Sequence, residues 1–482
     1  MNAIRCLLAI FATALQSSAA DAYFSNDRWA VTTSGATGQA GNPITLTWSL
    51  VPDGTTIRNA GPSNLIGYFD SLFNVTNTAG ELAQREWFGV IEQSFDRWSQ
   101  VSGITFVYEP NDDGARLQDF SGVVNVRGDV RIGGTFVDGP TGTLAYSSLP
   151  DGGDIVIDTG ETDLIVDAAG NFRRLRNVLM HELGHALGLL HIESSTDALL
   201  MEPLTSNSID GPQLDDIRGV QALYGDPFEK SNDSLGNGTS ERATRLGELP
   251  FDGILAIGTD AVGGQVVAPT ETDFVSISNR ADTDFYSFTV SAPARLNAVL
   301  KPLGGVFGQA LEGETQSVFN ANARSNLLLT VFATDGSTTL ILADGAGAGQ
   351  IETISDFTLA TEGTYYVRVT GASINVQLYE LQLSASALSS GLPGDNNQDG
   401  TIDAADYVAW RKGQGTTFTN VDYDMWRANF GQSISKASAR ASANTLAAVV
   451  PEPATFLLLI LSVVRGGRAI RRTTSQVAKL HD

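Results

Sequence analysis

Cysteine is nearly absent from this chain: Cys6 is the only one in 482 residues. It lies in a segment expected to be removed, so the mature chain has no disulfide and no thiolate ligand. Any transition-metal site must therefore use histidine and carboxylates. Histidine is almost as scarce, at four. Three of them, His181, His185 and His191, stand close together. The fourth, His481, lies in the tail, where a solvated side chain is the default. Basic residues number 30 against 54 acidic ones, a net charge of −24. That excludes general nucleic-acid binding, which needs a basic footprint. The same surplus suits a soluble exported protein and a calcium binder alike, and charge alone does not separate them. Only 17% of residues are charged, beside 50 glycines, which favours strands and turns over long surface helices.

Both ends read as processing signals. Arg5, the apolar run Cys6 to Leu15 and the small residues Ser18-Ala19-Ala20 form a signal peptide, with cleavage after Ala20 or Ala22. At the other end Val450-Pro451-Glu452-Pro453 precedes the apolar run Ala454 to Val464, followed by Arg465, Arg468, Arg471 and Arg472. This run falls short of the roughly 20 residues that span a bilayer as a helix. The segment resembles a PEP-CTERM sorting signal, which implies recognition by an exosortase-type membrane enzyme and a bacterial cell-envelope or extracellular destination. The same residues also fit an uncleaved tail anchor with a basic cytoplasmic end.

Between the ends the chain divides by composition. Residues 1–22 are the signal peptide and 23–225 carry mixed helix and strand signals with all the chemistry. Residues 226–246 are polar and turn-rich, a linker. Residues 247–388 show short alternating strands such as Phe285 to Val290, Leu327 to Phe332, Tyr365 to Val369 and Gln377 to Leu383, the pattern of an antiparallel sandwich. Residues 391–432 are a small acidic unit with tryptophans, 433–450 a Ser/Ala-rich stalk, 451–472 the sorting signal and 473–482 a tail. In the first region Trp87, Val90, Ile91, Phe95 and Trp98 share one helical face. Arg173 to Leu187 reads as a second long helix. Strand signals at Ile44 to Val51, Ile104 to Tyr108, Asp129 to Gly133 and Asp154 to Asp158 complete an α+β class: a mixed twisted sheet with helices.

Residues 181–191 read His-Glu-Leu-Gly-His-Ala-Leu-Gly-Leu-Leu-His. On a helix His181 and His185 stand at i and i+4, so both imidazoles project from one face and share one Zn²⁺. Gly188 ends the helix, because it takes a left-handed cap without a Cβ penalty. The chain then brings His191 round as third ligand. Three protein ligands leave a fourth position for water, the mark of a catalytic zinc. Glu182 reaches that water without ligating the metal. As general base it takes the proton and later delivers it to the leaving amine.

With these residues the sequence resembles the metzincins, and within them the matrixins or matrix metalloproteinases, over about residues 25 to 225. Leu199-Leu200-Met201-Glu202-Pro203 looks like their Met-turn, which implies that Met201 lies beneath the zinc. Leu214 to Gly225 resembles their C-terminal helix, and Phe95 to Ser99 with Ile104 to Phe106 their first helix and second strand. Asp129 to Ile132 and Leu144-Ala145-Tyr146 resemble the third strand and the edge-strand region. The resemblance implies an extended protein or peptide substrate pairing with an edge strand that includes Leu144 and Ala145. Two features depart from the family. Tyr146 stands where a histidine for a second, structural zinc is expected, so one zinc is expected here. In the mature chain no cysteine is expected ahead of the domain, and the roughly twenty residues between the signal and the first strand are expected to leave no room for a conventional inhibitory prodomain. Ile192 before Glu193 and the lack of glycine-rich nonapeptide repeats set the chain apart from the astacins and serralysins.

Residues 247–388 resemble the bacterial pre-peptidase C-terminal domain, on Asp282-Thr283-Asp284-Phe285-Tyr286-Ser287-Phe288 and Gly363 to Val369. That reading allows substrate or surface binding; a spacer with core aromatics and turn aspartates fits equally. Residues 395–406 place Asp395, Asn397, Asp399, Asp403 and Asp406 at positions 1, 3, 5, 9 and 12 of an EF-hand-type calcium loop. Gly400 stands at position 6, and Thr401 offers its carbonyl at position 7. Asp406-Tyr407-x-x-Trp410-Arg411 recurs as Asp422-Tyr423-x-x-Trp426-Arg427, and the pair resembles a dockerin, a small helical EF-hand-like module. Dockerins bind cohesin modules; a calcium-rigidified spacer fits the same residues. Taken together, the leading reading is a secreted zinc-dependent metalloendopeptidase holding one Zn²⁺ and at least one Ca²⁺. The alternative is a non-catalytic surface scaffold with a retained metal site, and Glu182 speaks against it, since a structural zinc needs no general base.

Overall fold

The structure, a computed structural model, describes residues 27–433 except 141, 165–169, 197, 261–265, 388–391, 398 and 416. The expected signal peptide, the sorting signal, the tail and all but the first residue of the stalk lie outside the described residues. The chain folds as two compact units, with the boundary between 388 and 389.

In the first unit, strands β1 (Ile44–Leu50), β2 (Ile104–Tyr108), β3 (Val130–Thr135), β4 (Ala145–Ser147) and β5 (Ile155–Asp158) form one sheet in the order β2-β1-β3-β5-β4. Every neighbouring pair is parallel except β4 with β5. Strand β1 alternates as its sequence requires, with Ile44, Leu46, Trp48 and Leu50 buried. Helices α1 (Leu65–Leu72) and α2 (Phe88–Gln100) cross over between the parallel strands. The apolar face of α2 lies on the sheet: Phe95 stacks on Trp48 with ring centroids 4.4 Å apart. Helix α3 (Arg173–Ala186) packs on α2, and the Trp98 indole donates to the carbonyl of Met180 at 3.0 Å. From Leu175 to Ala186 every residue of α3 is buried, so its sequence shows no clean apolar stripe. Strand β6 (Ile192–Ser194) and helix α4 (Leu214–Tyr224) follow. Asp216 and Gln213 cap α4 reciprocally, and its last residue, Tyr224, donates its hydroxyl to the Leu187 carbonyl at 2.9 Å.

The sandwich comprises β7 (Thr244–Glu248), β8 (Ile254–Ile257), β9 (Val275–Ile277), β10 (Thr283–Val290), β11 (Ala294–Leu303), β12 (Val306–Leu311), β13 (Ser317–Asn320), β14 (Leu327–Phe332), β15 (Thr339–Ala343), β16 (Glu352–Leu359), β17 (Gly363–Gly371) and β18 (Gln377–Ala387). One sheet runs β8-β18-β11-β16, with β9 also on β18; the other runs β15-β14-β17-β10-β7. The pairing is antiparallel except β7 with β10, which is parallel. Strand β17 buries Tyr365, Val367 and Val369 against Tyr286 and Phe288.

Two features were not visible in composition. Residues 226–246 make a packed connection: Asp226 is buried, and its Oδ2 accepts from the Ser276 N–H at 3.1 Å. Lys230 Nζ donates to the carbonyl of Ile104 at 3.1 Å. The polar composition that suggests a linker serves caps and docking contacts instead. The sandwich also shares a hydrophobic core with the first region, through Val267, Phe274, Leu303 and Leu378. Strands β12 and β13 leave the sandwich sheets and extend β6 into a three-stranded sheet, β13-β12-β6.

In the second unit, helices α5 (Ala404–Gly413) and α6 (Asn420–Asn429) pack through Tyr407, Trp410, Tyr423 and Trp426. Each begins with a capping box, on Asp403 with Asp406 and on Thr419 with Asp422. Among the described residues no helix is long and apolar enough to cross a membrane.

Candidate metal centre

Helix α3 delivers His181, Glu182 and His185 at adjacent positions of one turn and the next. It ends in a Schellman motif. The Leu189 N–H donates to the Gly184 carbonyl at 2.9 Å and the Gly188 N–H to the His185 carbonyl at 2.9 Å, with Gly188 at φ +105°. A Cβ at 188 would also press on the Asp27 carbonyl, 2.8 Å away. This turn reverses the chain and presents the Leu189 carbonyl to His185 Nδ1 at 2.7 Å. The next residues carry His191 back over the helix.

The three imidazoles are buried, and a nitrogen from each lies within 4.8 Å of the others. His181 Nε2 and His191 Nε2 approach to 3.1 Å. Each ring has its opposite nitrogen anchored. His181 Nδ1 meets the Leu200 carbonyl at 2.7 Å, His185 Nδ1 the Leu189 carbonyl, and His191 Nδ1 the Glu312 carboxylate at 2.8 Å. An Nδ1–H that donates to such an acceptor leaves the Nε2 lone pair free, which is the ligating form. Burial, with His191 alongside, lowers His181 to about 3, and burial holds His185 well below its usual range; both rings are neutral.

The residues fit a zinc ion. Buried His185 Nε2 and Glu182 Oε2 have no hydrogen-bond partner, a cost that a native site bears only where something else satisfies the atoms. Burial pushes Glu182 up to about 8, with Ser147 of β4 drawing it the other way. Three imidazole nitrogens and one adjacent carboxyl are a donor set for a borderline divalent ion with an open position.

Met201 sits under the helix: a Cβ on Gly184 would collide with its Sδ. Its turn is held from beneath by Asp216, whose carboxylate accepts from the N–H groups of Leu200 at 2.8 Å, Met201 at 3.1 Å and Gln213 at 2.8 Å. The Met201 carbonyl accepts from the Ile192 N–H at 3.1 Å, tying this turn to the third histidine's segment. Strand β4 ends the sheet, and its outer edge has no strand partner among the described residues. Ala145 lies in it, and Leu144 just before it still accepts from the Asp158 N–H at 2.9 Å. Tyr146 is half-buried there. The loop preceding β4 is organised by carboxylates: Asp158 accepts from the N–H groups of Val137, Asp138 and Gly139, and Asp138 from that of Thr143.

Two further carboxylate groups stand out among the described residues. Asp395, Asp399 and Asp406 of the calcium-type loop bring oxygens within 4.8 Å of one another. Asp395 accepts from the Asp399 and Gly400 N–H groups, with Gly400 at φ +83°. Asn397 is hydrogen-bonded to Asp399 and Asp406, and Asp403 caps α5. Thr401 forms a bridge with Ser433. In the first unit Glu229, Asp282 and Asp284 converge likewise. Buried Asp284 Oδ1 has no hydrogen-bond partner there. Sequence alone did not reveal this group, although Asp282 and Asp284 lie in the pre-peptidase-like segment. Glu229 is far upstream in what reads as a linker, and polar spacing does not predict the encounter. Asp216 was legible in principle as a helix-capping residue. Glu312 carries no local signal.

Comparison with known proteins agrees with this geometry. Residues 70–225 match the matrixin family model, and residues 282–371 match the bacterial pre-peptidase C-terminal domain. The chain is 35% identical over 191 residues to an interstitial collagenase of Oryctolagus cuniculus, covering 38% of this chain and 37% of that one. It is 31% identical to the metalloendoproteinase 1-MMP of Arabidopsis thaliana, over 31% of this chain and 43% of that one. It is 30% identical to a stromelysin-1 of Rattus norvegicus, over 47% and 48%. The chain thus spans less than half the length of each. On the match and the histidine geometry together, this chain contains a matrixin domain, followed by a pre-peptidase C-terminal domain.

Proposed function

We propose that the protein is a secreted zinc-dependent endopeptidase, with His181, His185 and His191 as ligands and Glu182 as general base. The observation that carries this reading is the arrangement of the three rings: every Nδ1 is anchored outward, the Nε2 atoms converge, and an unpartnered Glu182 oxygen lies buried next to them. Zinc, when bound, supplies a Lewis acid and lowers the pKa of its water toward neutrality.

The chain's own residues do the rest. Glu182 takes a proton from the attacking water and returns it to the leaving amine. Burial raises the basicity of its carboxylate, which favours that uptake. The open edge of β4, at Leu144 and Ala145, pairs with an extended peptide and sets the scissile carbonyl across from Glu182. Met201 and Asp216 fix the floor and keep His181 in its rotamer. A zinc kept for structure alone would not require Glu182.

Around this chemistry the signal peptide exports the chain, and the PEP-CTERM-like segment directs it to a sorting enzyme at a bacterial envelope. Asp395, Asn397, Asp399, Asp403, Asp406 and the Thr401 carbonyl hold calcium in a dockerin-like module, whose partner is a cohesin-type domain. Glu229, Asp282 and Asp284 hold a second calcium. Cleavage of gelatin by the full chain tests the central reading. It stops on chelation and resumes on adding Zn²⁺; a chelator-insensitive activity, or none from folded zinc-loaded protein, contradicts the proposal.

A further inference from the structure

We propose that Glu312, from the β-sandwich region, is the positioning residue for His191, so that the second domain completes the metal centre of the first. The inference rests on the zinc reading above.

His181 and His185 take their Nδ1 acceptors from nearby backbone, the Leu200 and Leu189 carbonyls. His191 has Glu312 Oε2 at 2.8 Å, 121 positions away in sequence. Strand pairing makes this contact. Strand β12 runs antiparallel to β6 with Leu311 opposite Ile192, Ala310 opposite Glu193 and Gln309 opposite Ser194. One step further along that register, Glu312 faces His191. The pairing continues at its far end, where the Ser195 N–H donates to the Gly308 carbonyl at 2.8 Å and the Gly308 N–H to Ser195 Oγ at 2.9 Å. The segment that carries the third histidine is thereby the edge of a sheet whose other strands belong to the second domain.

A carboxylate on the outer nitrogen of a ligating imidazole fixes the tautomer, orients the ring and raises its basicity. His191 is 3% exposed, whereas the Glu312 side chain is 53% exposed. A solvated glutamate on a free loop would lose rotamer freedom to make this bond. Here the ladder ends one residue short of Glu312, at Leu311 opposite Ile192, so the backbone that carries Glu312 is already placed and only its side-chain rotamer freedom is lost. Glu312 acts through His191 and does not touch the reacting atoms.

The test measures zinc affinity of the full chain by competition with a chromogenic chelator, for wild type, Glu312→Ala, Glu312→Gln and Glu314→Ala. Glu314 is exposed on the same turn and serves as control. The expected result is a dissociation constant raised about 10-fold or more by Glu312→Ala, a smaller rise for Glu312→Gln, which keeps an acceptor, and no change for Glu314→Ala. The metal-free proteins melt together, because the contact is half-solvated. Wild-type affinity in Glu312→Ala, or an equal loss in Glu314→Ala, overturns the inference. A wild-type chain that binds no zinc overturns the zinc reading itself, and this inference with it.

Discussion

Met201 places its sulfur in the space that a side chain at Gly184 would need. The glycine inside the helical histidine motif is thus required by the turn beneath it, and helix α3 and the Met201 turn are fitted to each other before any metal enters. Gly184→Ala forces the methionine or the helix aside. Overpacking of this kind costs about 1–3 kcal/mol. The variant is expected to unfold at lower urea concentration than the wild type with the same slope, and to bind zinc more weakly. An unchanged midpoint would show that the turn has room to yield.

Asp216→Ala removes one acceptor from three buried N–H groups, those of Leu200, Met201 and Gln213. Each stranded donor carries a desolvation cost, so a loss of about 3 kcal/mol or more is expected. Because the Leu200 carbonyl orients His181, cleavage should fall further than the folded fraction does. Activity per folded molecule equal to wild type would separate the turn from the site.

Asp154 lies buried beside Arg131, and burial pushes it up to about 7, against the Gln118 N–H and the Arg131 charge. The folded state then holds a proton between roughly pH 4 and 7 that the unfolded state releases, so this group's contribution to stability declines as pH rises through that window. Asp154→Asn removes the titration. Urea midpoints at pH 5 and pH 8 should fall less in the variant than in the wild type; parallel changes would assign the pH dependence elsewhere.

Calcium is expected to raise the unfolding temperature of the full chain in two separable steps. Asp406→Asn, in the loop where Asp395, Asp399 and Asp406 converge, should remove the binding heat of one site and leave the first unit's transition unchanged. Asp282→Asn, facing Glu229 and Asp284, should reduce the calcium-dependent rise of that transition. Ligand that binds only the folded state stabilises it in proportion to the logarithm of its concentration. A chain whose melting ignores calcium would assign both groups to plain hydrogen bonding.

How much of this was legible follows from distance along the chain. His181, Glu182, His185 and Gly188 are spaced by one helix and its cap, so periodicity and cap chemistry reach them. Strands β1 and β2 and the face of α2 were legible for the same reason, since alternation and helical spacing are local. Strand β4 is only three residues long, too short for a period to declare itself, and Leu144 and Ala145 came from resemblance alone. The β12–β6 pairing, Glu312 on His191, and Asp226 and Lys230 docked in a segment composed like a linker depend on partners dozens to more than a hundred residues away. Nothing local marks them.

The most direct test of the central claim is cleavage of gelatin by Glu182→Ala prepared with the same zinc content as the wild type. Wild-type zinc binding and wild-type melting are expected, with cleavage lowered by at least about a hundredfold, since a positioned base contributes about 10²–10⁴ in rate. Zinc-loaded Glu182→Ala that cleaves like the wild type would contradict the assignment of Glu182 as the base, and with it the mechanism built on this site.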